Sequence, residues 1–430
     1  MVKELEKEVI RCIKCGACQS VCPIYKELKT EAGVARGKIG LIRAIIKGDV
    51  EMTEALAEKM HLCLLCKACV ESCPSGVKVD YLVVSTRSEL VEQKGLPPMK
   101  KAIFKLGLRN PKLFNLSLRL GSLFQSLLFK KSDKGQGVLA RIPMGLAKRR
   151  VLAPLADKSF RANYPAKIES RTESQIESQI ESQDVKAAVA FFTGCMINYI
   201  YPKVGESVIK VLKKNKVNVV IPPNQHCCGT PVYTSGDTET AKLLIKQTVD
   251  TFYNLKVDKI ITACGSCGLS LRKEYLEYLK DEPEYLKKAE VISQKTVDFS
   301  KFMADIGMDM DLKELNSTVT YHDSCHLARG QGVKKEPRQL MSRIPGLKFK
   351  EMKNPGYCCG SAGGFSLSYY DLSMRINTKN IEDIALTGAD TVVTGCPACI
   401  MQINDGLVQK GLNVRVVHTA ELLAETIDNS

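Results

Sequence analysis

Five cysteines recur in one order, twice, and this recurrence limits what the chain can fold into more than any other feature. The first copy runs Cys195, Cys227-Cys228-Gly229, Cys264-Gly-Ser-Cys267, and the second runs Cys325, Cys358-Cys359-Gly360, Cys396-Pro-Ala-Cys399. The intervening stretches are 31 and 35 residues in the first copy, 32 and 36 in the second. Core packing does not impose five thiols at one spacing, so the two stretches read as copies of one module.

Each copy alternates apolar runs with helical patterns. Strands are predicted at 187–192, 217–221 and 259–263 in the first copy, and at 319–321, 347–350 and 391–394 in the second. Helices are predicted at 203–214, 238–255 and 266–279. This alternation predicts α/β units around parallel sheets. Cys195, Cys264, Cys325 and Cys396 each fall just beyond a predicted strand, and such folds build sites at the carboxyl ends of parallel strands. VDFSKFM from Val297 corresponds to VHTAELLA from Val417, which carries the repeat past the last cysteine.

The adjacent pairs Cys227-Cys228 and Cys358-Cys359 do not readily bridge each other, but both members can turn toward one centre, and the glycine that follows permits a tight turn. Soft thiolates in this number select iron–sulfur ahead of zinc or copper. A cubane takes four thiolates and each copy offers five. Either one is spare, or the cluster is larger or more open than a cubane.

Eight more cysteines lie near the N-terminus. CIKCGACQSVCP supplies Cys12, Cys15, Cys18 and Cys22, and CLLCKACVESCP supplies Cys63, Cys66, Cys69 and Cys73. Both follow C-x2-C-x2-C-x3-C-P, the run of two-cluster bacterial ferredoxins, in which the fourth cysteine serves the other cluster. Two 4Fe-4S cubanes are therefore expected, one on Cys12, Cys15, Cys18 and Cys73, the other on Cys63, Cys66, Cys69 and Cys22. Zinc knuckles need neither the third C-x-x-C nor the trailing C-P. Ile39, Ile42, Ile45 and Ile46 recur at helical spacing between the motifs, which predicts an inserted helical arm with a packing face.

The two motifs and the two arrays use all 18 cysteines and leave none for disulfides. No apolar stretch precedes a small-residue cleavage site, so no secretory signal is read and a reducing compartment, most simply the cytoplasm, is expected. The net charge of +15 is local: between Lys100 and Arg161 fifteen Lys and Arg face two acids. This segment reads as one or two amphipathic helices broken at Asn110-Pro111, a packing face with a basic rim suited to an acidic partner or anionic headgroups. No recognition fold accompanies the patch, so nucleic acid is not expected as a partner. ESRTESQIESQIESQ reads as a solvated linker. The expected division is 1–98 for an α-helical dicluster domain, 99–186 for connector and linker, and 187–310 and 311–430 for the duplicated α/β modules.

His226, His322 and His326 flank the arrays and are candidates for hydrogen bonds to cluster sulfurs, although ordinary structural roles are the plainer expectation. Gly360–Gly364 lacks G-x-G-x-x-G and directly follows two candidate ligands, so it reads as a turn around a cluster.

The C…CCG…CxxC array resembles the cysteine-rich CCG domain of heterodisulfide reductase subunits and of the iron–sulfur subunit of glycolate and D-lactate oxidases. A dicluster ferredoxin followed by two CCG modules is similar to that iron–sulfur subunit over most of the chain. CPSG, YHDSCHLARGQG, CCGSAGGF and VVTGCPAC followed by IMQI carry the likeness to the glycolate oxidase branch. The resemblance implies an iron–sulfur electron-transfer subunit working with an FAD-containing dehydrogenase that oxidises glycolate or D-lactate. It implies a further iron–sulfur cluster in each CCG module, and as acceptor an electron-transfer flavoprotein or a membrane quinone system at the inner membrane face. On this reading the chain carries no catalytic acid/base residues of its own. Members of the glycolate oxidase branch often lack a cysteine in a CxxC pair, whereas all ten positions are filled here. In heterodisulfide reductases a complete set implies a non-cubane four-iron cluster, so the alternative is a catalytic subunit that cleaves a disulfide at a CCG cluster.

Overall fold

The computed structural model describes residues 2–132, 137–141, 149–164 and 186–427, and the low-complexity run at 169–183 lies outside them. The N-terminal region is helical: Val2–Ile10, Ala35–Lys47, Glu54–His61 and Val79–Lys94 surround the two cysteine motifs. Ala35–Lys47 buries Ile39 and Ile42, packs Ile45 and Ile46 against the same core, and ends at Gly48 with φ 79°. Glu54–His61 starts where the Thr53 hydroxyl accepts a bond from Leu56 N, a local signal that fixes the first turn. These two helices are the inserted arm.

In the connector, Phe129–Lys131 (β1) and Val138–Ala140 (β2) form a separate antiparallel hairpin. The duplicated region forms two four-stranded parallel sheets. In the first, β3 (Ala187–Phe192), β4 (Val217–Val220), β5 (Lys259–Thr262) and β6 (Thr296–Asp298) lie in the order β4-β3-β5-β6. In the second, β7 (Thr318–His322), β8 (Lys348–Phe349), β9 (Thr391–Thr394) and β10 (Arg415–His418) lie in the order β10-β9-β7-β8. Read from the other edge, the second order repeats the first. The correspondence at Val297 and Val417 marks the fourth strand of each sheet.

One predicted helix differs. The span 266–279 is helical only at Gly265–Leu269 and Tyr275–Tyr278, with a π turn at Ser270–Glu274 between them. Within this wider turn, buried Ser270 donates to the Cys228 carbonyl at 3.1 Å. The connector forms the expected helical pair: Pro98–Ala102 runs into a π-helical Ile103–Leu108, and Pro111–Leu128 follows an Asn110 cap. Leu5, Val83, Leu244 and Ile403 belong to one hydrophobic core, so the N-terminal helices pack on both repeats. A second core, with Val189, Phe191, Val319, Tyr321 and Val393, joins the two sheets.

Candidate functional site

The two N-terminal motifs fold into matching loops. Lys14 (φ 57°) and Leu65 (φ 53°) occupy equivalent left-handed positions, as do Gly16 (φ 85°) and Lys67 (φ 59°). Left-handed turns at non-glycine residues persist only where the surroundings enforce them. They bring three thiols of each motif to one side of the loop. Cys12, Cys15, Cys18 and Cys73 line one cavity, and Cys22, Cys63, Cys66 and Cys69 line another, so each fourth cysteine crosses to the other motif's nest. Cys69 also borders the first cavity. The outer nest reaches solvent at exposed Cys15, whereas Cys66 in the inner nest is buried.

In the duplicated modules every array converges at the carboxyl ends of its strands. Cys195 and Cys325 lie in the first turns of helices after β3 and β7, and Cys264 and Cys396 are the N-caps of helices after β5 and β9. At Cys195 and Cys396 backbone N–H groups of the helix start add to the thiol contacts that pull the pKa down. In the first copy Cys195 contacts Cys227, Cys227 contacts Cys228, Cys228 contacts Cys267, and Cys267 contacts Cys264. In the second, Cys325 contacts Cys358, Cys358 contacts Cys359, and Cys399 bridges Cys359 and Cys396. The Cys359–Cys399 sulfur separation is 3.5 Å. Both members of each adjacent pair thus face their own array. Hydrogen bonds from neighbouring thiols hold Cys228, Cys359 and Cys396 well below the ordinary thiol range. All eighteen cysteines are free, and a donor set made of converging thiols suits iron–sulfur chemistry.

The nests are not separate. The Cys264 side chain of the first array lies against Cys396 of the second, and Cys66 of the inner N-terminal nest lies against Cys358. An unbroken series of sulfur contacts therefore runs from the inner nest to the second array, and from there back to the first. Its spatial order is the reverse of the order of the two modules in the chain.

Small residues permit this closeness. A Cβ on Gly265 would stand 3.0 Å from Ser324 Oγ, one on Gly268 2.7 Å from Gln331 Oε1, and one on Gly330 2.9 Å from the Leu269 side chain. Gly360, at φ +84°, lies 2.6 Å from the Ser373 carbonyl at the position a Cβ would take. Gly360→Ala is therefore expected to destabilise the second array by about 1–3 kcal/mol, seen as earlier loss of its iron on urea titration while the N-terminal nests hold theirs.

Of the three histidines, His322 lies beside sulfur: its ring nitrogen and the Cys359 and Cys399 thiols fall within 4.8 Å of one another. Its Nδ1 is 3.2 Å from Asn380 Nδ2, and among the described residues its buried Nε2 meets no nitrogen or oxygen partner. His326 joins three parts of the chain, with Nδ1 3.0 Å from Ser266 Oγ and Nε2 3.2 Å from the Leu65 carbonyl. Burial pushes its pKa down, so it acts as a neutral strut. His226 is half-buried, and burial likewise lowers its pKa.

Sequence reasoning did not single out four charged groups. Buried Lys38 donates to the Ala32 and Gly33 carbonyls at 3.1 and 2.9 Å. Buried Arg87 donates to the Met60, Cys63 and Thr234 carbonyls. Arg329 donates to the Cys66 and Gly356 carbonyls at 3.1 and 2.6 Å. All three cations surround the inner nest, where positive charge offsets that of a thiolate cluster. Glu274 lies in a cavity of about 680 Å³ lined also by Lys67, Tyr278 and His326, where the N-terminal loops meet both repeats. Burial pushes its carboxyl up to about 8. No local pattern marks Arg87 and Arg329, because their carbonyl partners are distant in sequence, whereas Lys38 reaches back only to the neighbouring turn.

Comparisons with known proteins agree with this layout. A cysteine-rich domain family matches residues 189–272 and 319–404, and a 4Fe-4S dicluster domain family matches residues 8–77. The chain is 34% identical to a "Probable glycolate oxidase iron-sulfur subunit" of Bacillus subtilis, over 98% of this chain and 94% of that one. It is 30% identical to one subunit of a CoM/CoB fumarate reductase of Methanothermobacter marburgensis, over 97% of this chain and 72% of that one. "Lactate utilization protein A" of Bacillus cytotoxicus is 33% identical over 55% of this chain and 98% of its own length. A crystal structure of a hypothetical protein from Helicobacter pylori superposes with a TM-score of 0.54 at 10% identity, covering 99% of this chain and 73% of that one, a likeness of fold alone.

Proposed function

The chain belongs to the family of the glycolate oxidase iron–sulfur subunit, a 4Fe-4S dicluster domain followed by two cysteine-rich domains, and from that premise we propose that it is the electron-transfer subunit of a flavin-dependent 2-hydroxy acid dehydrogenase. The unbroken series of sulfur contacts from Cys66 through Cys358 and Cys396 to Cys264 supports this reading most directly. When bound, iron–sulfur clusters supply one-electron carriage at potentials set by burial, charge and hydrogen bonds to sulfur.

The residues of the chain do the rest. Cys12, Cys15, Cys18 and Cys73 would hold the outer centre, and Cys22, Cys63, Cys66 and Cys69 the inner one. The ten array cysteines would hold a centre in each repeat. Lys38, Arg87 and Arg329 offset thiolate charge around the inner nest, and His322 aims a ring nitrogen at the Cys359 and Cys399 sulfurs. Exposed Cys15 makes the outer nest the accessible end, so an FAD-containing partner that removes hydride from glycolate or D-lactate would dock there. The acceptor would be met beside Cys195.

A second reading rests on the filled set of ten array cysteines, which a pure conduit does not need. On it, the array cysteines would hold a centre at which a disulfide is reduced to two thiols, taking two protons and two electrons delivered through the N-terminal nests. Two measurements test both readings. Anaerobically purified protein is expected to hold about 16 iron atoms per chain, from four four-iron centres; a value near 8 would leave the arrays empty and end both. A co-purifying flavoprotein with glycolate or D-lactate activity supports the first reading. Disulfide reduction by the chain without such a partner would replace it with the second.

A further inference from the structure

The helical pair at 98–128 leaves its apolar side uncovered. Pro111–Leu128 turns Phe114, Leu118 and Gln125 toward the protein and Leu113, Leu116, Leu120, Leu123 and Leu127 away from it. The outward leucines follow one another at intervals of three and four, a single continuous stripe along the helix. Leu123 is 73% exposed and Leu127 69%. Met99, Ile103 and Leu106 on the preceding helix are exposed as well, while Phe104 and Leu108 anchor that helix inward.

Charge distinguishes the possible occupants. Residues 99–131 hold eight Lys and Arg and no Asp or Glu. Lys101, Arg109, Lys112 and Arg119 are exposed along the stripe. A second copy of the chain would bring the same cations face to face. The exposed face carries one aromatic, Phe124, and no Tyr or Trp, and phenylalanine among leucines belongs to the apolar side of interfacial helices. Leucines outward with lysines and arginines at the rim is the pattern of a helix lying in the headgroup boundary of an anionic bilayer. Among the described residues no helix is long and apolar enough to cross a membrane, so such a face would rest on the surface.

The position of the pair adds a second argument. The inner side of Pro111–Leu128 meets Tyr199 through the Phe114 ring, with centroids 5.5 Å apart, and through the Asn115 side chain. Gln125 bonds Leu155 N and O at 3.1 and 3.2 Å. A cavity of about 290 Å³ lies between this helix and the segment that follows Cys195, lined by Leu118, Arg161 and Tyr199 among others. The short helix Gly194–Tyr199, which carries Cys195 in its first turn, therefore meets the inner side of the leucine-striped helix through Tyr199.

We propose that Met99, Ile103, Leu106 and the leucine stripe of Pro111–Leu128 dock the protein on an anionic lipid bilayer, holding the Cys195 array against the membrane surface. The docking stands on exposure and charge alone. The meaning of the Cys195 placement rests on the electron-transfer reading.

The test is sedimentation of the cluster-loaded full chain with vesicles. Wild-type protein is expected to pellet with phosphatidylglycerol–phosphatidylcholine vesicles and to bind pure phosphatidylcholine at least ~10-fold more weakly, with salt releasing it. The variant L120Q/L123Q/L127Q changes exposed side chains only and is expected to keep its iron content while its partition falls roughly 100-fold. K101E/K112E/R119E should lose the preference for anionic lipid. Wild type that stays in the supernatant overturns the proposal, as does a dimer in light scattering that the leucine variant abolishes, which would assign the face to a second copy. Equal pelleting by the leucine variant overturns it too. If the protein docks but carries no 2-hydroxy acid activity with any partner, the electron-transfer reading fails and the docking stands.

Discussion

Cys358→Ser is expected to cut electron delivery through the chain by at least about 100-fold while both N-terminal nests keep their iron. Cys358 is the one array residue that touches sulfur outside the duplicated modules: it meets Cys66 on one side, and Cys325 and Cys359 on the other. Serine keeps the shape and the turn, including the close approach of Gly360 N to the side chain at 3.5 Å in the native residue. It replaces a soft, polarisable donor with a hard one that iron–sulfur centres hold poorly. The loss should therefore be chemical rather than structural. Cys227→Ser supplies the contrast. It removes a thiol that touches only Cys195 and Cys228, so the second array stays intact and stays joined to the inner nest. Reduction by dithionite followed by electron paramagnetic resonance separates the two variants. In C358S the signals of the N-terminal centres should persist and the second-array signal should vanish. In C227S only the first array should change. Full turnover in C358S with native iron content would show that electrons do not use the sulfur junction at Cys66 and Cys358.

Much of this was legible because the chemistry is written in spacing. C-x2-C-x2-C-x3-C-P forces a loop that returns three thiols to one place, and the crossing of Cys22 and Cys73 between nests follows from the helical turn that displaces each fourth cysteine. The arrays were legible for a different reason: strand, cysteine and helix recur together, so the ends of β3, β5, β7 and β9 could be placed from the apolar runs within two residues or less. The junctions were not legible. Nothing near Cys66 points to Cys358, 292 positions away, and nothing near Cys264 points to Cys396. The approach of the first repeat to the second beside Cys264 uses Gly265, Gly268 and Gly330, whose missing side chains matter only once two helices from different repeats cross. The reversed spatial order of the arrays has the same origin. The π turn at Ser270–Glu274 has no signal in its own sequence, and its Ser270 side chain is tied to a carbonyl at Cys228, 42 positions away.

Arg87 illustrates the same blindness, and its replacement carries the largest expected cost in stability. On the helix Val79–Lys94 it reads as one polar residue among several, yet it is fully buried. Its Nη2 donates to Met60 O at 2.7 Å and Cys63 O at 2.8 Å, Nε to Met60 O at 3.1 Å, and Nη1 to Thr234 O at 2.6 Å. One guanidinium thus ties the inner cysteine loop to the first repeat. Arg87→Met keeps most of the stem and its packing but leaves four carbonyls, those of Met60, His61, Cys63 and Thr234, without this donor. At about 1–3 kcal/mol for each buried group left unsatisfied, and with some relief from water, the loss should be about 3–5 kcal/mol. The same change removes a positive charge beside the Cys63 thiol, so the reduction potential of the inner centre should fall by tens of millivolts (a rough estimate). Arg87→Lys separates the two effects: it restores the charge but not the planar fork that reaches four acceptors. Urea unfolding followed by the visible absorbance should then rank wild type above R87K and R87K above R87M. Potentiometric titration should place R87K near wild type and R87M alone below it. A potential unmoved in R87M would reduce Arg87 to a structural tie. Stability unmoved in R87M would mean that the loop at Cys63 is held by its own left-handed turns and not by the helix behind it.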